Sequence, residues 1–287
     1  MKILILGGTN DVGIHLINQL LKKKQKVTIA TRGMHDDPFE DQVTRIKIDR
    51  YDVNSMKDAF FDKKFDVVYD FLAYCSNDIK IALNSIHCKT YILVSSIAVY
   101  EDVGEIREDF FLPYRYRIKM GEASDFSYAE GKRQAEAVLS QIYDAQKSLT
   151  IRFPILLGEA KESNLLDYYV DHIVHEQPMY IDNMDAKLSF FPNQEAGRFL
   201  AFLASAKQEG VYHISSKGNM TIRQIIQYIE EKTNKKACIY ECDDAAPLNG
   251  MKSQTLYLGK VNRLTFKNKP LEKWMYDLLD HTIAQYM

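Results

Sequence analysis

The first half of the chain alternates short apolar runs with segments whose apolar residues recur at helical spacing. The opening run, residues 3–6, carries no charge and is typical of a short buried strand. Further strands are predicted at residues 27–30, 44–48, 65–72, 90–94 and 149–153. Helices are predicted between them, at residues 14–21, 54–61, 78–86 and 128–146. This alternation predicts an α/β fold with a doubly wound parallel sheet covered on both faces.

A glycine-containing turn joins the first strand to the first helix. Such a turn places unpaired N–H groups and the positive end of the helix dipole against a phosphate. Glycine leaves room for a pyrophosphate to lie on the backbone. Asn10 stands where the usual dinucleotide turn has a third glycine, and asparagine tolerates positive φ. The alternative is a plain turn with glycines for packing. The candidate cofactor contacts in this turn are Gly7, Thr9, Asn10, Asp11, Val12 and Gly13.

The end of the second strand bears on which dinucleotide is bound. A carboxylate at this point accepts hydrogen bonds from the adenosine ribose of NAD. Here the strand closes on Thr31, without a carboxylate, and Arg32 follows. An arginine is suited to a 2′-phosphate. The sequence therefore favours NADP over NAD.

Beyond residue 158 the pattern is more polar and less regular. Helices are predicted at residues 165–175, 193–206, 221–232 and 271–285, and short strands at 211–214 and 237–240. We expect residues 1–158 to form an NAD(P)-binding domain, rejoined by about residues 187–207. Residues 159–287 are expected to form a small α/β lobe that mainly binds substrate. The polar, aromatic-rich connection at residues 101–126 lacks periodicity and is typical of a functional loop or lid.

Composition and charge restrict the class of protein. The 287 residues are 46% hydrophobic and 26% charged, and the formal net charge of −2 at pH 7 disfavours nucleic acid as a partner. The sequence shows no signal peptide and no apolar stretch of the length of a membrane span, so we expect a cytoplasmic protein without a membrane partner. The four cysteines lack paired spacing and His172 and His175 are interpreted as solvated, so no metal is expected. The expected partner is a small-molecule substrate, and a homodimer is left open.

One group of side chains has the chemistry for proton transfer. Ser96 ends the fifth predicted strand, at the ligand edge of the sheet. Tyr128 and Lys132 are four apart, on one face of a helix, where the ammonium would lower the pKa of the phenol. The phenol could then exchange a proton with a substrate oxygen as hydride moves to or from a nicotinamide. The alternative is a surface tyrosine beside a solvated lysine. The same spacing recurs at Tyr143/Lys147 and Tyr228/Lys232, but neither pair opens a helix after a serine-ended strand.

Several motifs in this order resemble a known family. The motifs are Gly7-Gly8-Thr9 with Gly13, Ser96-x-x-x-Tyr100, Tyr128-x-x-x-Lys132-x-x-x-Glu136, and the run from Arg152 to Gly158. They resemble the extended short-chain dehydrogenase/reductases, the NAD-dependent epimerase/dehydratase group, from residue 1 to about residue 158 and more weakly over residues 210–231. The resemblance implies a Rossmann-type fold.

The resemblance also implies roles for individual residues. It implies Ser96 as the catalytic serine, Tyr128 as general acid/base and Lys132 as its partner, with the last two also contacting the cofactor. It places further residues along the dinucleotide: Asp49 and Arg50 near the adenine, Ala73 and Tyr74 near the ribose and nicotinamide, and Pro154 beside the nicotinamide.

Departures from the family pattern restrict the reactions that the sequence predicts. Ile97 and Ala98 follow Ser96 where dehydratases of the group carry acidic residues, so dehydration is disfavoured. Ile155 stands where many nucleotide-sugar epimerases have asparagine. The sequence therefore predicts an NAD(P)-dependent oxidoreductase or epimerase acting on a carbonyl or alcohol, with a sugar or nucleotide sugar among the candidates. The alternatives are a non-catalytic NADP-sensing regulator and, less favoured, an RNA-binding member of the group.

Overall fold

The structure is a computed structural model, and it describes residues 1–9, 11–101, 103–160, 165–205 and 207–287. The chain divides into two compact units. The first comprises Met1–Glu101, Glu108–Phe153 and Gln194–Ile214. The second comprises Asp102–Arg107, Pro154–Asn193 and Ser215–Met287. Each unit is therefore assembled from three separate segments of the chain. The assignment of substrate binding to the second half stays a prediction.

The described residues form the following strands and helices. The strands are β1 (Lys2–Leu6), β2 (Lys26–Thr31), β3 (Thr44–Lys47), β4 (Lys64–Asp70), β5 (His87–Ser96), β6 (Gly104–Ile106), β7 (Ser148–Phe153), β8 (Ile155–Leu157), β9 (Pro178–Met179), β10 (Phe190–Pro192), β11 (Gly210–His213), β12 (Cys238–Ile239) and β13 (Gln254–Leu256). The helices are α1 (Asp11–Lys22), α2 (Val53–Phe60), α3 (Ser76–Ser85), α4 (Tyr128–Gln141), α5 (Leu165–Val174), α6 (Asn193–Leu203), α7 (Ile222–Thr233) and α8 (Leu271–Ile283).

A seven-stranded sheet forms the centre of the first unit. Its strand order is β11-β7-β5-β4-β1-β2-β3, and every neighbouring pair is parallel. Strands β2 and β3 follow β1 on one side, whereas β4, β5 and β7 follow on its other side. The boundary between β1 and β4 is therefore the topological switch point of a Rossmann-type fold. The predicted doubly wound parallel sheet is confirmed.

Apolar side chains of the central strands pack directly against the helices of the first unit. The β1 residues Ile3–Leu6 are completely buried, as expected for a strand covered on both faces. One cluster joins side chains of β1, β4 and β5 to those of α2, α3 and α4. Helices α1 and α6 also meet closely, because a Cβ on Gly197 would lie 2.5 Å from His15 Cβ.

The second unit has its own apolar cluster. Side chains from α5, α7 and α8 pack together with those of β8, β9 and β10. Its short strands pair in parallel as β8 with β10, β9 with β12 and β6 with β13. His172 is buried and bonded to Asp244, so its interpretation as a solvated residue is wrong. His175 is exposed, as expected.

The connection at residues 101–126 has more structure than the sequence predicts. It contains β6, which pairs with β13, and three short 3₁₀ turns at Glu108–Phe110, Pro113–Arg115 and Ala123–Asp125. Single turns and three-residue strands are too short to produce a readable periodicity. Among the described residues, none of the helices has the length and apolar character needed to cross a membrane.

Candidate active site

The predicted glycine turn forms between β1 and α1. Gly7 and Gly8 have φ of +84° and +81°, conformations that side chains rarely adopt. A Cβ on Gly13 would lie 2.3 Å from Gly8 Cα, so the first turn of α1 packs directly on the glycine turn. Helix α1 begins at Asp11, whose carboxylate lies 3.1 Å from His15 Nε2. Asn10 lies outside the described residues.

Two other predicted cofactor contacts, Thr9 and Val12, lie in the turn and in the first turn of α1. Thr9 is half-buried and Val12 is buried beneath the turn. The start of a helix carries the positive end of the helix dipole, so the start of α1 is suited to a phosphate. The turn is therefore suited to a dinucleotide, although the close packing of Gly13 on Gly8 needs glycine even without one.

Two cations lie at the carboxyl ends of β2 and β3. Arg32 is exposed just after β2, as the sequence predicts. Lys47, which the sequence analysis did not single out, ends β3 opposite Thr31 and is also exposed. Its Cδ lies 3.9 Å from the position of a Cβ on Gly33. The nearby Asp37 binds Arg45, so its carboxylate is already neutralised. Arg32 and Lys47 are thus two exposed cations at this edge, which also carries the exposed Asp49 two residues after β3.

Arg50 points into the protein rather than toward a ligand. Its guanidinium donates to both carboxylate oxygens of Asp70, at 2.7 and 3.0 Å, and to the Asp78 carbonyl oxygen at 2.8 Å. Burial alone would lower the pKa of Arg50, but the Asp70 and Asp78 carboxylates raise it above its ordinary value. Asp70 also accepts hydrogen bonds from the Tyr91 hydroxyl and the Leu72 N–H. A contact of Arg50 with the adenine would therefore have to come from its backbone, whereas Asp49 is exposed.

The backbone after β4 is fixed by α3 and α4. The N–H groups of Tyr74 and Cys75 donate to Asp78 Oδ2 at 2.7 and 3.1 Å. A Cβ on Gly131 would lie 2.1 Å from the Tyr74 carbonyl oxygen, so only glycine lets α4 approach this closely. Sequence analysis missed both Asp78 and Gly131. An acidic residue in the first turn of a predicted helix and a glycine inside one were the available signals.

Ser96, Tyr128 and Lys132 come together, as the sequence predicts. Ser96 ends β5, and Tyr128 opens α4, which is capped by the Ser127 side chain. The Tyr128 phenol lies close enough to the Ser96 hydroxyl for that hydroxyl to lower the pKa of the phenol. Lys132 is only 3% exposed, and its Nζ lies 5.9 Å from the centroid of the Tyr128 ring. The geometry thus combines a phenol, a hydroxyl and an ammonium in one place.

The ammonium is bound to the backbone rather than to the phenol. Lys132 Nζ donates to the Ala73 and Val94 carbonyl oxygens at 2.8 and 3.0 Å. Burial lowers the pKa of Lys132 to about 8, with nearby Asp70 acting in the opposite direction. Tyr128 is 56% exposed; desolvation raises the pKa of its phenol, and the nearby Ser96 hydroxyl lowers it. The expected lowering of this pKa by Lys132 is thus not observed, because desolvation of the phenol is the larger influence.

The other two tyrosine–lysine pairs have different surroundings. Helix α4 ends at Gln141, so Tyr143 lies outside the helix predicted to contain it, and its hydroxyl donates to Asn84. Tyr228 and Lys232 both bind the Asp280 carboxylate in the second unit. Neither pair therefore accompanies a serine at the end of a strand.

Three motif residues form a buried cluster beside Ser96. Arg152 is completely buried, and its guanidinium binds the Glu136 carboxylate, with one contact of 2.6 Å, and the Tyr100 hydroxyl at 2.9 Å. Glu136 also accepts a 2.6 Å hydrogen bond from the Ser95 hydroxyl. The cluster therefore connects α4 and β7 to the end of β5 that carries Ser96. The sequence identified these residues as motif positions but not as one network.

The remaining predicted residues are placed as follows. Ala73 is buried and contributes its carbonyl to Lys132. Pro154 follows β7 directly and begins the second segment of the second unit. Arg198 and Arg223, two isolated arginines beyond residue 158, form ion pairs with Glu195 and Asp185. These two arginines thus have structural partners.

Residues 3–84 match the sequence model of the NAD dependent epimerase/dehydratase family. The chain is also similar to the chloroplast stem-loop binding protein of 41 kDa b from Arabidopsis thaliana, with 25% identity over 237 residues. That alignment covers 77% of this chain but 60% of the relative's length. The likeness to this relative therefore extends over only part of the plant protein.

Solved structures of epimerases share the fold over their whole length. The UDP-glucose 4-epimerase of Thermotoga maritima, with UDP-glucose, has a TM-score of 0.76 at 15% identity and covers 100% of both chains. The UDP-glucuronic acid 4-epimerase of Bacillus cereus, with UDP-glucuronic acid and NAD, has a TM-score of 0.73 at 18% identity and covers 100% of this chain and 98% of that one. These matches, with the family model over residues 3–84, confirm the resemblance to the NAD-dependent epimerase/dehydratase family that the sequence motifs indicate.

Proposed function

We propose that this chain is a nicotinamide-dinucleotide-dependent oxidoreductase or epimerase of the short-chain dehydrogenase type. The observation that carries the proposal is the meeting of Ser96, Tyr128 and Lys132 at the carboxyl edge of the sheet whose first strand leads into the glycine turn. Ligands of such sheets bind beyond this edge. The substrate class is a carbonyl compound or alcohol.

The residues at this edge fit a dinucleotide. The glycine turn and the start of α1 would hold the pyrophosphate, with Asp49 near the adenine and Tyr74 and Pro154 toward the nicotinamide. When bound, the dinucleotide supplies the site that gives or takes hydride. Gly7 and Gly8 adopt positive φ and have no side chains. Bare backbone therefore lies at the start of α1, where a pyrophosphate needs room.

Tyr128 is the proposed general acid/base. Its phenol lies near the Ser96 hydroxyl, so a substrate oxygen placed at these two hydroxyls would be oriented by one and exchange a proton with the other. Lys132 Nζ lies 5.9 Å from the centroid of the Tyr128 ring. Its ammonium is held by backbone carbonyls, so it stays in place while the proton moves.

We propose NADP as the preferred cofactor. Arg32 and Lys47 place two exposed cations where the 2′-phosphate of NADP would lie, and no carboxylate ends β2. The Bacillus cereus neighbour binds NAD, so preference has to be measured on this chain with both dinucleotides.

The substrate is proposed to be a sugar or nucleotide sugar, or another small carbonyl or alcohol. Nucleotide sugars are bound by the Thermotoga maritima and Bacillus cereus neighbours. Ile97 and Ala98, directly after Ser96, offer no carboxylate to remove a proton from carbon, which argues against dehydration.

Turnover of a single-tyrosine variant tests the proposal. Absorbance at 340 nm would follow net hydride transfer between NADPH or NADH and aldehydes, ketones or nucleotide sugars, and chromatographic separation of the epimers would follow epimerisation, which leaves the dinucleotide unchanged overall. We expect Tyr128→Phe to lose about 100-fold or more of the turnover while retaining dinucleotide affinity. Tyr143→Phe, which has the same spacing to a lysine, should match the wild type. Unchanged turnover in Tyr128→Phe would contradict the proposed role, and dinucleotide binding with no turnover on any substrate would favour a non-catalytic sensor.

RNA binding is the second candidate, favoured by the name of the Arabidopsis thaliana relative alone. The net charge of −2 gives no general attraction for phosphate backbones. A mobility-shift titration with a stem-loop RNA at two salt concentrations would decide. A shift that weakens steeply with salt would support RNA binding, and its absence at low salt would exclude this candidate.

A further inference from the structure

Tyr74 has an unusually constrained backbone for a partly exposed residue. Its N–H donates to Asp78 Oδ2 at 2.7 Å. Its carbonyl oxygen lies against the face of α4, at the point where Gly131 has no side chain. The residue is therefore held on one side by the start of α3 and on the other by the start of α4. Its ring can be displaced from this site only by side-chain rotation.

The Tyr74 ring lies over the Lys132 ammonium. An ammonium has three N–H donors. Two of those of Lys132 are used by the Ala73 and Val94 carbonyl oxygens. The centroid of the Tyr74 ring is 4.4 Å from Nζ, within the range of a cation–π contact and closer than the Tyr128 ring at 5.9 Å. The ring face is thus a third favourable partner for the positive charge.

Nearby carboxylates favour the charged form of Lys132, but each of them is also paired with an arginine. The charged groups that face Lys132 are Asp70 at the end of β4, Asp78 in α3, Glu136 in α4 and Arg50 before α2. Asp70 and Asp78 share Arg50, and Glu136 binds Arg152. Burial favours the neutral amine and is the larger influence, because it lowers the pKa of Lys132 to about 8. Groups that touch Nζ directly therefore add to the stability of the charged form.

We propose that Tyr74 is a positioning residue that acts through Lys132. Its ring face keeps the buried ammonium charged and oriented beside Tyr128. The consequence for catalysis rests on the proposed function, whereas the effect on Lys132 itself does not. No hydroxyl chemistry of Tyr74 is involved, so a phenylalanine serves equally well.

The experiment measures the titration of Lys132 without turnover. Protein labelled with ¹³C at lysine Cε is titrated by NMR, and the Lys132 resonance is assigned by its loss in Lys132→Met. Tyr74→Leu removes the ring but keeps an apolar cover, and Tyr74→Phe is the matched control that keeps the ring. We expect the midpoint of Lys132 to fall by about one pH unit in Tyr74→Leu. It should remain at the wild-type value in Tyr74→Phe.

The outcomes separate this inference from the proposed function. An unshifted midpoint in Tyr74→Leu, a rise, or equal shifts in both variants would overturn the role of the ring. A fall confined to Tyr74→Leu supports it, even in a chain that transfers no hydride, and the missing turnover would then count against the proposed function alone. If the role of the ring and the proposed function are both correct, the alkaline limb of the pH–turnover profile of Tyr74→Leu also moves to lower pH. That of Tyr74→Phe does not move.

Discussion

Burial disfavours the charged form of Lys132, so the free energy of unfolding depends on pH. Its pKa of about 8 in the folded protein lies below its ordinary value of 10.5. Between these two values the unfolded chain binds more protons than the folded one, so stability due to this group rises with pH. Below the folded pKa both states are protonated and the cost of burying the charge is constant.

The Lys132→Met variant lacks this titrating group. The free energy of unfolding of the wild type minus that of Lys132→Met should therefore increase by roughly 3 kcal/mol from pH 7.5 to 10.5. Urea unfolding at a series of pH values measures it. Lys57→Met, at an exposed lysine of α2, is the control and should show no such trend. A pH-independent difference for Lys132→Met would contradict the depressed pKa.

At the residue scale, the sequence predicted which side chains meet but not how they are held. The order of motifs was enough to select Ser96, Tyr128 and Lys132. Their spacing could not show that the ammonium binds backbone carbonyls, since Ala73 and Val94 are brought to it by packing of distant segments. The same reason hid the contact between Gly131 and Tyr74.

At the scale of elements, the buried pair of Glu136 and Arg152 joins α4 to β7. Breaking it from one side leaves a carboxylate without compensation inside the protein, which typically costs about 3–5 kcal/mol. We expect a loss of this size in the free energy of unfolding of Arg152→Met, measured with denaturant. Arg223→Met removes an exposed ion pair with Asp185 and should cost far less than Arg152→Met. Equal losses in both variants would show that burial of the pair is unimportant.

The long elements were predictable and the short ones were not. Strands such as β1 and β4 could be predicted from their mainly apolar runs, and α1 from apolar residues that recur along one face of the helix. Strands β9 and β12 have two residues each, so their pairing is decided by the packing of the second unit. The prediction of α4 ran five residues too far, because polar residues after Gln141 continue a helical pattern that the fold does not use.

At the scale of the whole molecule, a bound dinucleotide should stabilise the fold. A ligand at about 100 times its Kd adds about 2.7 kcal/mol to the free energy of unfolding. We expect NADPH to raise the Tm more than NADH at equal concentration. The double variant Arg32→Ala with Lys47→Ala should lose this difference while keeping the shift produced by NADH. Thermal denaturation with each dinucleotide measures both.

The control for this comparison changes the same net charge elsewhere. Lys26→Ala with Lys64→Ala removes two exposed cations at the first residues of β2 and β4, the opposite edge of the sheet, and should retain the preference. Should NADH give the larger shift in the wild type, the proposed choice of cofactor is wrong. A Tm that neither dinucleotide moves would contradict dinucleotide binding itself.

Strand β11 has a consequence for how the protein is made. It forms the outer edge of the central sheet by pairing with β7, yet it is contributed by Gly210–His213, far later in the chain. A nascent polypeptide that has just emerged through β7 therefore carries an open row of backbone donors and acceptors, which is a template for intermolecular pairing. On the ribosome, the interval between synthesis of β7 and of β11 is thus the period in which this protein is most exposed to aggregation and to chaperone capture.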